Sequence, residues 1–223
     1  MIVPPPPLHP SKLPAGTVLR AGRGTSTVLP DLDFETYSEA GFEWCARTQR
    51  WRQPAGATGT ATGLPLVGVV NYVAHASFRV LTMAYNLKDG AGERTWVPGM
   101  PPPLPLLNHV ASGGLLEAWN VGFERRVWAW GVANLGWPPI DRLQWRCAMA
   151  KARAHALPGG LGAAGEVLSL SVLKDAGGKA MLDRFSRPRN PTKDDPRLRV
   201  TPIWTSSEEA RVAAELFAHR TAE

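Results

Sequence analysis

The chain has few of the features that assign a protein to a common class at once. It has two cysteines in 223 residues, Cys45 and Cys147, and their spacing fits neither a zinc site nor a disulfide framework. It has no apolar run near the roughly 20 residues that span a bilayer, and no export-type apolar segment at its start. We therefore expect reduced thiols, no membrane partner and a cytoplasmic protein.

Basic residues, proline and glycine are abundant instead. There are 25 Lys and Arg against 19 Asp and Glu, and the resulting charge of +6 suits an anionic partner. Apolar residues make up 44% of the chain, which is enough for a core, and 21 prolines with 22 glycines predict long loops. Residues 1–26 are expected to be a disordered Pro-rich leader, followed by one domain over 27–223.

Hydrophobic patterning predicts an α/β domain. Strands are predicted at 27–34, 64–74, 78–87, 95–97 and 115–119, with 64–74 and 78–87 as a hairpin. Helices are predicted at 106–111, 121–135, 142–157, 161–173 and after a capping box at Ser206 and Glu209. Residues 41–63 and the basic stretch 174–205 are predicted loops. This order favours a mixed central sheet flanked by helices.

Two carboxylates stand two residues apart in the first predicted strand. Asp33 and Glu35 alternate with Leu32 and Phe34, and alternation along a strand sends residues i and i+2 to one face. Adjacent carboxylates repel each other unless a positive group lies between them, and a divalent cation with oxygen ligands is a common solution. The alternative is a solvated strand end. Asp31 shares the face but is a weaker candidate.

A second candidate pair lies where a strand passes into a helix. Asn120 stands at the turn, where its side chain can cap the helix, and Glu124 lies in the first helical turn, facing back toward the strand end. A structural role explains both residues, because the helix dipole favours Glu near the N-terminus. Taken alone, this pair is more typical of capping than of catalysis.

A third pair lies at the end of the sequence. His219 and Glu223 are spaced i and i+4, so they share one face of the last predicted helix. Taken alone, they are typical of a surface pair on a terminal turn. The three pairs carry more information together than separately.

Together the pairs resemble the proofreading 3′–5′ exonuclease domain of phage family A (DNA polymerase I-like) polymerases, a DEDD nuclease of the ribonuclease H-like superfamily. Residues 33–36 read Asp-Phe-Glu-Thr and match the first family motif, Asp-x-Glu-Thr. Residues 120–124 match the second, Asn-x-x-(Phe/Tyr)-Asp, with Glu in the place of Asp. The resemblance covers 27–223 and includes phage-like stretches at 117–120, 146–153 and 188–193. It implies a ribonuclease H-like α/β fold.

The resemblance also implies a chemistry. Two divalent cations, Mg²⁺ or Mn²⁺, would bind the scissile phosphate at a single-stranded or mismatched 3′ DNA end and release nucleoside monophosphates. The implied catalytic set consists of the metal ligands Asp33, Glu35, Glu124 and Glu223, with His219 placing the attacking water. The implied contacts to the terminal nucleotide and the strand are Thr36, Asn120, Phe123, Lys151 and Arg153. Further basic candidates for the strand are Arg146, Arg187, Arg189, Lys193, Arg197 and Arg199.

The third motif departs from the family pattern. The family has Tyr-x-x-x-Asp on a late helix, where this chain has His219 and Glu223. A longer acidic stem displaces the metal-binding oxygens, and an error of about 1 Å can cost about 100-fold in rate.

The sequence therefore leaves two functions open, an active exonuclease and a catalytically weakened nucleic-acid-binding or polymerase-docking module of the same fold. An unrelated α/β domain with scattered surface acids is the third option.

No polymerase sequence follows Glu223. A free-standing nuclease of a split polymerase is one expectation from this, and it makes a separate polymerase chain a partner. A truncated or degenerate copy is the other. Either interpretation places the protein in the cytoplasm of a bacterium or of a phage-infected host cell.

Overall fold

The described part of the chain is built on a five-stranded mixed sheet. A computed structural model describes residues 29–170, Asp183 and residues 185–193. The sheet strands are β1 (Asp31–Tyr37), β4 (Arg79–Asn86), β5 (Glu93–Trp96), β6 (Leu116–Ala118) and β7 (Trp145–Cys147), in the order β5-β4-β1-β6-β7. The β1–β4 and β4–β5 pairs are antiparallel, and the β1–β6 and β6–β7 pairs are parallel.

Helices flank this sheet. They are α1 (Leu64–Ala74), α2 (Leu104–Ala111), α3 (Val121–Leu135), α4 (Ala148–Ala154) and α5 (Leu161–Val167). A separate two-stranded hairpin is formed by β2 (Glu43–Cys45) and β3 (Arg50–Arg52). The fold class is therefore confirmed as a mixed α/β sheet with flanking helices, and it is consistent with a ribonuclease H-like fold. None of the helices in the described ranges is long and apolar enough to cross a bilayer.

Large aromatic side chains fill the core between α3 and the sheet. Trp137 packs on Trp128 with ring centroids 4.8 Å apart and stacks on Phe34 of β1 at 6.1 Å. Gly131 makes this packing possible, because a Cβ there would lie 2.2 Å from the ring of Trp137. Burial of rings of this size contributes a large share of a domain's stability. This core holds β1 and α3 rigidly against each other.

The segment 64–74 was wrongly predicted as a strand. It is the helix α1, interrupted at Gly68, where φ is 71° and ψ is 163°. Pro65 lies in its first turn, where a missing N–H costs nothing. A short apolar run rich in Val does not separate a buried strand from a helix by periodicity alone. The hairpin partner of β4 is instead β5, which lies after it in the sequence.

The predicted helix over 142–157 was also wrong in its first half. Residues Arg142–Gln144 form a 3₁₀ turn with a capping box at Asp141, and β7 and α4 follow it. The side chain of Gln144 donates to the carbonyl oxygens of Val110 and Gly114, at 3.0 Å each, and so leads the chain into the sheet beside β6. This tertiary contact outweighs local helix propensity.

The remaining predicted elements differ less. The helix at 121–135 is confirmed in both bounds, and the first strand lies at Asp31–Tyr37 rather than 27–34. The predicted loop 41–63 contains the β2–β3 hairpin. The predicted helix from 161 ends at Val167. The capping box at Ser206 and the helix after it lie outside the described residues, as does most of 174–205.

Candidate active site

A cavity of about 790 Å³ opens where β1, the first and last turns of α1 and the first turn of α3 meet. It is lined by six of the residues that the sequence singled out, Asp33, Glu35, Thr36, Asn120, Phe123 and Glu124. These residues come from two motifs that are more than 80 positions apart in the sequence. The fold therefore brings both motifs to one place.

Asp33 and Glu35 reach the cavity because β1 alternates. Leu32 and Phe34 are each 3% exposed in the core, whereas the side chain of Asp33 is exposed and that of Glu35 is half-buried. The β1–β4 register shifts between Glu35 and Thr36, and such an irregularity bends a strand locally. The two carboxylates thus lie on one face of the central strand, as predicted.

Glu124 is the most unusual group of the cavity. It lies in the first turn of α3 and is 4% exposed, and its Oε2 has no hydrogen-bond partner among the described residues. Burial raises the pKa of Glu124 to about 8, and the negative charges of Asp33 and Glu35 act in the same direction. A carboxylate buried without a partner is costly. The site is therefore suited to a positive charge.

The cavity is acidic as a whole. Its described lining includes four carboxylates, those of Asp33, Glu35, Glu124 and Asp183, against one basic side chain, that of Arg187. Such a cleft attracts cations and repels a bare phosphate. Within 29–170 and the described parts of 183–193, however, no three His, Cys, Asp or Glu side chains are placed as a ready-made metal-binding group. The acids share a cavity without already forming a ligand cluster.

A hydrogen-bonded network fixes the end of β1 to α1. The hydroxyls of Thr36 and Tyr72 lie 3.3 Å apart, and the Ser38 hydroxyl donates to the carbonyl oxygen of Tyr72 at 3.1 Å. Burial raises the pKa of Tyr72. The sequence missed Tyr72 because its segment was predicted as a strand. Its hydroxyl supports Thr36 on the wall of the cavity.

Asn120 begins α3 but does not cap it through its side chain. The side chain is exposed and lines the cavity, so it is available for a ligand. Beside it, the Trp119 indole N–H donates to the carbonyl oxygen of Gly159 at 3.1 Å and holds the start of α5 at the rim. Met149 and Leu161 add apolar lining next to Phe123.

A further group at the cavity comes from the far end of the described chain, and the sequence had singled out only its Arg187, as a candidate for contact with the strand. Asp183, Ser186 and Arg187 line the same cavity. Arg187 pairs with Asp183 at 3.0 Å, and Ser38 N–H donates to the carbonyl oxygen of Ser186 at 3.3 Å. The sequence predicted only a basic loop here, because nothing local indicates that this segment returns to β1.

Six predicted candidates among the described residues lie outside the cavity lining: Asp31, Arg146, Lys151, Arg153, Arg189 and Lys193. Lys151 forms an exposed ion pair with Glu117 at 2.8 Å, and Asp31 pairs with Lys88. Arg153 is exposed and packs its guanidinium near Gly159, at the rim. His219 and Glu223 lie outside the described residues, as do Arg197 and Arg199. The roles assigned to all of these remain predictions.

One curated relative connects the chain with nucleic-acid enzymes. Over 138 residues, 61% of the chain, it is 33% identical to a DNA polymerase of Bacillus phage SP02. The match covers 21% of that polymerase, so the chain spans about a fifth of its relative's length. No protein-family model matches the chain, and no solved structure does. The chain thus contains a region related to part of a phage DNA polymerase.

Proposed function

We propose that this protein is a metal-dependent 3′–5′ exonuclease that removes nucleoside monophosphates from single-stranded or mismatched 3′ DNA ends. The observation that carries the proposal is Glu124, buried without a partner for its Oε2 on a cavity that also receives Asp33 and Glu35. The likeness to part of a phage DNA polymerase supports a role at DNA ends.

The donor set suits Mg²⁺ or Mn²⁺, because both prefer oxygen ligands. Asp33, Glu35 and Glu124 would hold two such cations, completed by Glu223 with His219 nearby. When bound, the cations lower the pKa of a water and neutralise the charge that builds on the phosphate. Without them, the acids of the cavity repel a phosphodiester, so cations are needed to seat the terminal phosphodiester in the cavity as well as for reaction.

The other lining residues would orient the terminal nucleotide. Phe123, Met149 and Leu161 offer an apolar wall for a base or sugar. The exposed Asn120 amide and the Thr36 hydroxyl, which Tyr72 supports, offer polar contacts to the end of the strand. A site that contacts the terminal base, sugar and strand end in this way favours one frayed strand over a paired duplex end, because a base must leave its pair to make those contacts.

The test is nucleotide release from a single-stranded oligonucleotide labelled at its 3′ end. With Mn²⁺ or Mg²⁺ present, wild-type protein should release labelled mononucleotides, and chelation should stop the release. Asp33→Ala should abolish it while leaving the fold intact, because this side chain is exposed. Release that persists in the chelator, or in Asp33→Ala, would overturn the proposal.

A catalytically weakened nucleic-acid-binding or polymerase-docking module is the second candidate. The lack of a ready-made ligand group in the described ranges favours it, as does the departure at His219 and Glu223. It predicts salt-sensitive binding of single-stranded DNA without nucleotide release. In both cases a separate DNA polymerase chain is the proposed partner, because the matched region belongs to a DNA polymerase in that relative.

A further inference from the structure

We propose that the β2–β3 hairpin and residues 187–193 form one cationic surface that holds the phosphate backbone of single-stranded DNA outside the cavity. We name it the clasp surface and define it by the side chains of Arg47, Arg50, Arg189 and Lys193. It deepens the proposed function, on which it rests, by giving the strand a path beyond its terminal nucleotide.

The two segments are joined by one asparagine side chain. The Trp51 N–H donates to Oδ1 of Asn190 at 2.6 Å, and Nδ2 of Asn190 donates to the Trp51 carbonyl oxygen at 3.0 Å. The amide thereby pairs with the backbone of β3 as a neighbouring strand would. Arg50 and Arg189 each lie one residue, about 3.8 Å of chain, from this contact, so the backbones that carry them are close together.

Both segments leave the rim of the cavity before they meet. Phe42, one residue before β2, lines the cavity, and so does Arg187, three residues before Asn190. At the base of the hairpin, Gly41 and Gly63 are in such close contact that a Cβ on Gly41 would lie 2.7 Å from the backbone nitrogen of Gly63. The clasp surface is therefore continuous with the mouth of the cavity.

The charge of this surface opposes that of the cavity. Arg47, Arg50 and Lys193 are exposed, and within the described ranges none of them forms an ion pair with an acidic side chain. The one acid of the hairpin, Glu43, is paired with Arg52 at 3.0 Å. Trp44 and Trp51 pack edge to face at 5.5 Å between the two strands and are half-buried, and alternation along β3 sends Arg50 to the face opposite Trp51.

A single DNA strand fits this arrangement better than an acidic protein surface does. A strand whose 3′ nucleotide is in the cavity must leave through the mouth, with one phosphate charge for each further nucleotide. Exposed basic side chains along the path of the backbone are typical of single-strand binding without sequence preference. The surface should therefore add affinity in proportion to strand length and lose it with salt.

The test compares two double variants of equal charge change. Arg47→Ala with Arg50→Ala removes two cations of the clasp surface, whereas Arg126→Ala with Arg142→Ala removes two exposed cations that do not line this cavity. Binding of a labelled single strand of about 12 nucleotides is measured by fluorescence anisotropy in chelator, over a range of salt concentrations. Release of mononucleotide from a labelled dinucleotide is measured in Mn²⁺.

The clasp variant should bind the long strand about 25-fold more weakly at about 0.1 M salt, with a salt slope smaller by about 1.4, because each phosphate contact contributes about 0.7 to the slope. The control variant should stay within about twofold of wild type. Dinucleotide cleavage should be the same in all three proteins. Three outcomes would overturn the proposal of the clasp surface. They are equally weakened binding in both variants, unweakened binding in the clasp variant, and no binding of the long strand by wild type.

The two proposals fail separately. If wild type binds the long strand with the expected variant effects but releases no nucleotide, the clasp surface stands and the exonuclease proposal fails. If wild type cleaves the dinucleotide and the clasp variant binds the long strand as wild type does, the reverse holds. Asn190→Ala is a second variant, expected to weaken long-strand binding without removing a charge.

Discussion

The acidic cavity and the clasp surface differ in sign and in how they are held. Asp33, Glu35 and Glu124 are attached to β1 and α3, which the buried tryptophans fix against each other. The clasp surface lies on a short hairpin and a returning segment that one side-chain amide joins. Chemistry needs positions accurate to a fraction of an ångström, whereas attraction between surface charges tolerates looser placement. The rigid core therefore carries the acids, and the periphery carries the cations.

The largest expected effect is at Asp33. Asp33→Ala should reduce nucleotide release by about a thousandfold or more, comparable with loss of one preorganised group that stabilises a transition state. Asp31→Ala is the matched control, because Asp31 has the same side chain on the same strand but pairs with Lys88 away from the cavity lining. Steady-state release assays should show Asp31→Ala within about twofold of wild type. A similar loss of nucleotide release in Asp33→Ala and Asp31→Ala would contradict a specific role for Asp33 in the cavity.

The next effect concerns Glu124 and pH. Its folded-state pKa of about 8 lies above its ordinary value of 4.5, so the folded protein keeps a proton that the unfolded chain releases. The contribution of protonated Glu124 to the free energy of unfolding is therefore fully present below about pH 4.5. It decreases as the pH rises and is lost above about pH 8. One pKa unit corresponds to about 1.4 kcal/mol, so even part of this shift is measurable.

Glu124→Gln should accordingly be more stable than wild type at pH 8 in chelator, and the two should converge toward pH 5. Thermal unfolding at both pH values measures this difference. Adding Mn²⁺ at pH 8 should raise the melting temperature of wild type more than that of the variant, because the ionised carboxylate then has a cation beside it. An unchanged difference between pH 5 and pH 8 would contradict the raised pKa.

On the clasp side, Asn190→Ala should have a moderate effect. It removes two hydrogen bonds and leaves the backbone N–H and carbonyl of Trp51 without this partner, at a cost of about 1–3 kcal/mol. The cost should appear as faster hydrogen exchange in β2 and β3, with the exchange of β1 and α3 unchanged. Equal loss of protection in β1 would show that the hairpin and the core unfold together.

The sequence predicted the acids better than their surroundings, and the reason is physical. Asp33, Glu35 and Glu124 were selected through the family resemblance, and their positions on one strand face and in a first helical turn depend on neighbours only a few residues away. Tyr72 was missed because an apolar segment of 11 residues was assigned the wrong period. The Trp51–Asn190 contact spans 139 positions, and no local pattern indicates such a pairing. His219 and Glu223 stay predictions.

The smallest expected effect separates the clasp surface from general positive charge. Lys151 was predicted to contact nucleic acid, but it is exposed and paired with Glu117 at 2.8 Å, away from the cavity lining. An exposed pair of this kind contributes about 0.2–1 kcal/mol to stability, so Lys151→Ala should hardly change thermal unfolding. The affinity of Lys151→Ala for single-stranded DNA at about 0.1 M salt should stay within about twofold of wild type. Arg50→Ala should bind the same strand about fivefold more weakly. Anisotropy titrations of the two variants measure this contrast, and a fivefold loss in Lys151→Ala would extend the strand's path to α4 and restore the predicted role of Lys151.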